Sequence, residues 1–510
     1  MRRFLGAALA VSVLAATAAC GNSSANSANG GETDSLTIAA ITPPSSFDIG
    51  AMASSGPEDT YYQAVYDKLL AVGEDGQPKA SLATEWSYAE NGMSLDLTLR
   101  DDVKFTDGTI FDASAVKANL EHAKVAKGEA ASALGAVKSV TVADATHVVL
   151  ELSRPDPGLA SALARSSGYM ASPKALASKD LATKPVGSGP YVLDEETTTA
   201  GSTYVYTRNE DYWNKSAYPY DELTIRYLDD ISATVNGLRS GQIDAAATQT
   251  TDLVTAAKQA DLNVETYFGG GLDGLFLWDR EGKLAPALKD VRVRQAINYA
   301  TDRDSILEAV KGDLGTATAQ VFGDGSLGFD EALDDAYPYD LEKARQLMSE
   351  AGYADGFAIT LPDFSPVYPD EQAAMTELLE SINISVTYKP TTGDQVVGSI
   401  MGGQWPLNYF TLTSSSPYEL IGLAMTDQSP FNPFKSTDPE LTELIETAYA
   451  ATGDDQDAAL QRVNAYVVEQ AWFAPWDAVE GAAITGSGID VTTVPGLNVP
   501  PLSAYRPADS

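Results

Sequence analysis

Gly269-Gly270-Gly271-Leu272-Asp273-Gly274 matches the GxGxxG spacing with which a glycine-rich turn brings backbone amides against a dinucleotide pyrophosphate. That chemistry needs a helix N-terminus directly after the turn. Leu275-Phe276-Leu277-Trp278 follows instead and reads as a strand, so the glycines are expected to form a crossing between two folded bodies. The chain contains no GxxxxGK[ST], HExxH or GxSxG sequence and no EF-hand loop. Its two histidines, His122 and His147, stand 147 − 122 = 25 positions apart with no cysteine nearby, which leaves little scope for imidazole acid/base work or a His-rich metal site. Cys20 is the single cysteine, so a disulfide framework, a CxxC redox pair and a cysteine-rich zinc site are all excluded. Carboxylate pairs such as Asp101-Asp102, Asp229-Asp230 and Asp334-Asp335 read as solvated loops in so acidic a chain. The expectation is a non-enzyme with no catalytic residues, no bound metal and no cofactor.

The chemistry left is recognition. Trp405-Pro406 follows Gly402-Gly403, and Tyr409-Phe410 precede a Thr/Ser run that ends at Ser416-Pro417-Tyr418. Flat apolar walls beside small hydroxyls suit a ligand pocket. An ordinary loop packed on its domain explains the same residues equally well, and for Trp278 and Trp405 core packing is the standing alternative.

The elements that would position these residues alternate along the chain. Leu95, Leu97 and Leu99, and again Val148, Leu150 and Leu152, alternate with polar residues as half-buried strands do. Asp112 precedes the helical pattern Val116, Leu120, Ala123. Asp340 precedes another that Gly352 ends, and Asp438-Pro439 opens a third with Leu441, Leu444, Ile445 and Ala448 as its stripe. Such mixing gives α/β or α+β lobes and excludes an all-β sandwich or a helical bundle. With 510 residues the chain has room for two to four domains at about 150 residues each. Its net charge of 33 − 71 = −38 argues against a nucleic-acid partner and against adhesion of the body to anionic lipid.

The N-terminus carries an address. Arg2 and Arg3 precede an uncharged run of 16 residues from Phe4 to Ala19, short of the roughly 20 that a spanning helix needs. Residues 1–19 read as a signal peptide, and Thr17-Ala18-Ala19-Cys20 resembles a bacterial lipobox, with Thr17 where the pattern usually has Leu. The resemblance implies a lipidated Cys20 that opens a flexible tether over 20–34, so that the protein meets the membrane through this anchor only. The 14 residues from Gly21 to Asp34 would span roughly 20 Å. Loss of the two arginines would take the mature charge to −38 − 2 = −40.

Seven blocks in order resemble the peptide/nickel-type solute-binding proteins of ABC importers. They are Tyr66 to Leu70 with Gly76, Leu82-Ala83 and Trp86; Leu99 to Thr109 with Asp112 to Val116; Gly187 to Tyr191; Asn209 to Trp213; Gly241 to Asp244; Val291 to Ala296 with Ala300 and Asp302; and Tyr339 to Ala344 with Ala351-Gly352-Tyr353. The resemblance implies an α/β, two-lobed periplasmic-binding-protein-like clamshell of type II with an extra subdomain in lobe I. Lobe I would use 35–270 plus 472–510, and lobe II 271–471. It implies a small-molecule or peptide ligand closed between the lobes, delivery to an ABC permease with its ATPase, and a monomer. Ligand contacts carried over from the family fall on Ser54 and Ser55 after Asp48-Ile49, on Trp278 or Asp279 where the family has Asn, and on Ser416-Pro417 where it often has Asp-Pro. With Trp405, Tyr409 and Tyr418 these complete the candidate site. Loss of the Asp that pairs with a peptide's ammonium favours N-blocked or cyclic peptides, glycosides or other neutral polar solutes, with Glu419 as a possible substitute. A ligand-sensing or chaperone-like surface lipoprotein of the same fold is the alternative, and a surface hydrolase a more distant one.

Overall fold

The computed structural model describes residues 35–508 apart from 53–55, 127–128, 313, 392, 415 and 454. The signal segment, Cys20 and the tether fall outside the described residues, as do Ser54 and Ser55. Among the described residues no helix is long and apolar enough to cross a membrane.

The alternating patterns form a four-stranded antiparallel sheet, in the order Ala83–Tyr88, Ser94–Leu99, His147–Leu152, Val137–Val142. Leu95 sits opposite Leu150, and Leu97 opposite Val148. All four are at most 1% exposed, because period-two alternation sends every apolar side chain of both strands to one face. Helix Ala113–Val125 covers that face with Ala115, Val116, Leu120 and Ala123. Asp112 caps it by accepting from the amides of Ser114 and Ala115, both at 2.9 Å. Asp340 and Asp438 cap helices Leu341–Glu350 and Pro439–Ala450 in the same way, and Gly352 takes the left-handed φ of 87° after the first of these.

A larger mixed sheet runs in the order Tyr191–Leu193, Thr203–Arg208, Glu222–Tyr227, Ser35–Ala40, Ala245–Thr248, Phe473–Thr485, Asn263–Phe276, Asn408–Leu412, with Thr316–Ala317 added beside Phe473–Thr485. Only the Ser35–Ala40 pairings with its two neighbours are parallel. The two long strands Asn263–Phe276 and Phe473–Thr485 tie the molecule together. Their first part, Asn263–Phe268 against Glu480–Thr485, lies next to Ala245–Thr248. Their second part, Leu272–Phe276 against Phe473–Ala478, meets Asn408–Leu412 and Thr316–Ala317. The register shifts between Phe268 and Leu272, at the glycine run. Gly270 there has φ 76°, and a Cβ on it would stand 2.9 Å from the Ser414 carbonyl oxygen, so the turn admits no side chain. The glycine run is thus a bulge inside a strand and leads to no helix.

Hydrophobic packing divides around these strands. One core holds the four-stranded sheet and its helix, and a second holds Tyr61, Tyr62, Tyr66, Tyr169 and Tyr206 under the parallel part of the large sheet. A third gathers Leu275, Val293, Ile297, Leu361 and Trp476 with the parallel pair Phe357–Asp363 and Ile384–Pro390. A fourth gathers Phe276, Trp278, Trp405, Ile421, Leu460 and Phe473.

The blocks that carry the family resemblance serve as scaffold. Asp67, 7% exposed, accepts from Tyr212 Oη at 2.8 Å, Ser188 Oγ at 2.9 Å and Trp213 Nε1 at 3.2 Å. Arg100 lies 4.0 Å over the Trp213 ring. Gly187 passes so close to the chain that a Cβ would fall 2.0 Å from the Val65 carbonyl oxygen. Four blocks distant in sequence therefore close on one buried carboxylate. Burial pushes that carboxyl up to about 6, against the lowering effect of its three donors.

Candidate functional site

A cavity of about 250 Å³ lies where the first and fourth cores meet. One wall comes from Gln77, Trp86, Ser161 and Arg165, the opposite wall from Phe322, Ser326, Ser416, Tyr418 and Gln456. Phe268 and Gly271 of the crossing strand, with Pro495-Gly496, close its back. This volume lies just under the roughly 300–1,000 Å³ of pockets for drug-sized ligands, and corresponds to about eight waters at ~30 Å³ each. Aromatic walls and scattered hydroxyl and amide groups give it the makeup of a site for a small polar organic molecule.

Among the described residues Arg165 is the only charged one in the lining. It is 4% exposed and follows helix Leu159–Leu163, whose Leu159, Ala160 and Leu163 anchor it in the first core. Nη1 donates to the Ser161 carbonyl at 3.3 Å, its one side-chain hydrogen bond among the described residues. Nε is buried with no partner. Burial pushes the guanidinium down to about 10, while the fields of Glu419 and Asp59 act the other way, so the group is a cation at neutral pH.

Of the residues that sequence patterns singled out, Ser416 and Tyr418 line the cavity. Ser416 Oγ caps helix Pro417–Ala424 by accepting from the Glu419 amide at 3.2 Å. Tyr418 Oη donates to the Ala448 carbonyl at 3.3 Å and accepts from Gln456 Nε2 at 3.1 Å. Trp278 is fully buried in the fourth core, stacked on Phe276 with centroids 4.9 Å apart. Asp279 is also fully buried and accepts from the amides of Lys283, Leu284 and Ala285 at 2.6–2.8 Å, which fixes a loop. Trp405 packs in the fourth core and donates from Nε1 to Ser399 Oγ at 2.7 Å. Tyr409 packs in the third core against Trp476, 5.0 Å between centroids. These four residues do not line the cavity.

Arg165 escaped the sequence patterns, as did Gln77, Phe268, Phe322 and Gln456. One signal was present for Arg165: it is the sole charged residue between Gly158 and Ser172. His122 lies in helix Ala113–Val125 with Nε2 2.6 Å from Asp48 Oδ1, and His147 opens its strand beside Asp144; neither lines the cavity. Among the described residues no group of three or more His, Cys, Asp or Glu is placed to hold a metal ion.

Comparison with known proteins fits this geometry. Residues 77–428 match the family described as bacterial extracellular solute-binding proteins, family 5. The chain belongs to that family. It is 29% identical over 311 residues to the glutathione-binding protein GsiB of Salmonella typhimurium, and 28% identical over 312 residues to that of Escherichia coli K12. The match covers 59% of this chain and spans 59% of the length of those curated relatives. Similar solved structures include HbpA2 from Haemophilus parasuis, with TM-score 0.82, 20% identity, and coverage of 93% of this chain and 100% of that one. The binding protein AgaA of A. tumefaciens R10, in complex with agropinic acid, has TM-score 0.74 and 22% identity over 93% of this chain and 99% of its own. DppA from Helicobacter pylori, in complex with the peptide STSA, has TM-score 0.73 and 20% identity over 93% and 98%. The fold is the two-lobed clamshell of family 5, and the seven sequence blocks do mark that family.

Proposed function

We propose that this member of family 5 is the extracytoplasmic binding lipoprotein of an ABC importer. Lobe I (35–270 plus 472–510) and lobe II (271–471) close on a small organic solute and present it to a permease, with a lipidated Cys20 as the mooring. The observation that carries this reading is the cavity itself, walled by residues 77–165 on one side and 322–456 on the other, with the crossing strand behind. A ligand touching both walls favours the closed form by its differential affinity for it. The named relatives bind glutathione, agropinic acid or a peptide, and a solute of that scale suits the volume. In this reading Ser416 and Tyr418 face the ligand, with Ser54 and Ser55 as further contacts, while Trp278, Asp279, Trp405 and Tyr409 hold lobe II in shape behind them.

Native mass spectrometry of gently purified protein tests the reading, followed by a thermal-shift screen of peptides, sugars, organic acids and amines. A retained small molecule, or stabilisation that grows with the logarithm of ligand concentration, is the expected result. No retained ligand and no shift with any class at 10 mM, taken as a concentration about a hundredfold above a weak Kd, would overturn it. Cys20→Ser should release the protein from membranes into the medium, and unchanged membrane association would remove the lipid anchor.

A further inference from the structure

We propose that the solute is a small organic acid whose single carboxylate is held by Arg165 and whose remainder is uncharged. This rests on the cavity being the ligand site. In a chain of net charge −38, the lining's only charge among the described residues is positive. A guanidinium offers five N–H donors in a planar fork. Arg165 spends one of them on Ser161, its Nε faces no acceptor, and the group is 4% exposed. Arg294, outside the cavity, is saturated by the carbonyls of Leu288, Lys289, Gln470 and Ala471, and Arg280, whose Nε is also without a partner, still donates to the Leu277 carbonyl and to Asn432. Arg165 instead leaves a buried cation short of acceptors in front of a space that holds about eight waters. A carboxylate supplies two oxygens in the geometry the fork requires.

The rest of the lining sets the remainder of the ligand. One positive charge balances one negative charge, so a dianionic phosphate monoester would keep an unpaired charge in the closed site. Among the described residues the lining contains no Asp or Glu, so a free ammonium would find no partner among them. Glu419 and Asp59 act on Arg165 through their fields, yet neither lines the cavity. Gln77, Gln456 and Ser326 offer amide and hydroxyl groups to a neutral polar body, and Trp86, Phe268 and Phe322 offer apolar faces. N-acylated amino acids and peptides, hydroxy acids and sugar acids answer this description. Free amino acids and unblocked peptides do not.

Calorimetry and thermal shift on the purified chain test this with N-acetyl amino acids, N-acetyl dipeptides and sugar acids. Each is compared with its amide or methyl ester, its free-amino form, a phosphate monoester and a neutral glycoside. Acids should bind, and their amides should bind about thirty-fold more weakly or worse. Arg165→Met should show the same loss for the acid and none for the amide, so that the two changes together lose no more than either alone. Arg165→Lys should retain part of the acid preference. Equal binding of acid and amide by the wild type, or full affinity for the acid in Arg165→Met, overturns the inference. Tight binding of a glycoside, phosphate monoester or unblocked peptide with no binding of the acids overturns it while the receptor reading stands. Failure of every class overturns both. Should Arg165→Met not fold, the acid–amide comparison on the wild type and on Arg165→Lys still decides.

Discussion

Lys311→Met isolates the electrostatics of the crossing strands. Asp273 and Asp477 face each other in register on Asn263–Phe276 and Phe473–Thr485, and are 1% and 2% exposed. Lys311, at the end of helix Arg303–Lys311, bridges them, contacting Asp273 and lying 3.0 Å from Asp477 Oδ2. One such contact at 3.0 Å is worth about 5 kcal/mol at an effective dielectric near 20, and the mutual repulsion of the carboxylates offsets part of it. Stranding a buried charge by removing its partner costs about 3–5 kcal/mol. The Asp477 carboxyl is raised above its ordinary range by burial, with Lys311 pulling it down and Glu480 and Glu371 pushing it up. A carboxyl raised in the folded state binds its proton more tightly there than in the unfolded chain. Its contribution is therefore present at low pH and lost as pH climbs through the folded-state value. Loss of Lys311 pushes that value higher still. Lys311→Met should thus show a smaller deficit at pH 4.5 than at pH 8, where it reaches about 3–5 kcal/mol. Denaturant unfolding followed by tryptophan fluorescence measures this, with Trp476 adjacent to Asp477 as reporter. A deficit below about 1 kcal/mol at pH 8, the value of an exposed pair, or an equal deficit at both pH values, would refute the reasoning.

Three further outcomes follow from the geometry. Asp67, pushed up to about 6 by burial, should make stability fall by about 3 kcal/mol as pH rises from about 4 to 6, and Asp67→Asn should flatten that slope in unfolding midpoints taken across the range. Gly158 has φ −75° and ψ −12°, so a side chain strains no backbone, but its Cβ would stand 2.9 Å from the Cβ of Tyr418, a residue of the cavity wall. Gly158→Leu should wedge the walls apart and weaken the retained ligand by about 5- to 150-fold at an overpacking cost of about 1–3 kcal/mol, with the unfolding midpoint little changed; unaltered affinity by calorimetry contradicts this. Trp278→Ala should cost about 3–5 kcal/mol in an unfolding titration and leave ligand affinity within about twofold, since the ring is core and absent from the cavity wall.

The elements and their ends were legible in the residues. Period-two alternation at Leu95 and Val148 and the caps at Asp112, Asp340 and Asp438 act through local geometry, and each forms where the pattern places it. The strand reading after the glycine run also holds as far as Phe276, beyond which Leu277 and Trp278 leave the ladder. The family blocks were legible for a related reason. They satisfy demands that depend on residue type, such as the glycine against Val65 or the donors around Asp67.

The candidate site was legible only in part. An aromatic ring that walls a pocket and one that fills a core share composition and neighbours, so sequence could not separate Tyr418 from Trp278 or Tyr409. What separates them is which core each strand and helix packs against, and the pairing of Asn263–Phe276 with Phe473–Thr485 settles that across about 200 residues of chain. The charge of Arg165 is written in the sequence. That it is buried, short of acceptors and turned toward a space shared by two walls is a statement about what lies around it, and beyond Ser161 and its own helix distant segments supply those surroundings.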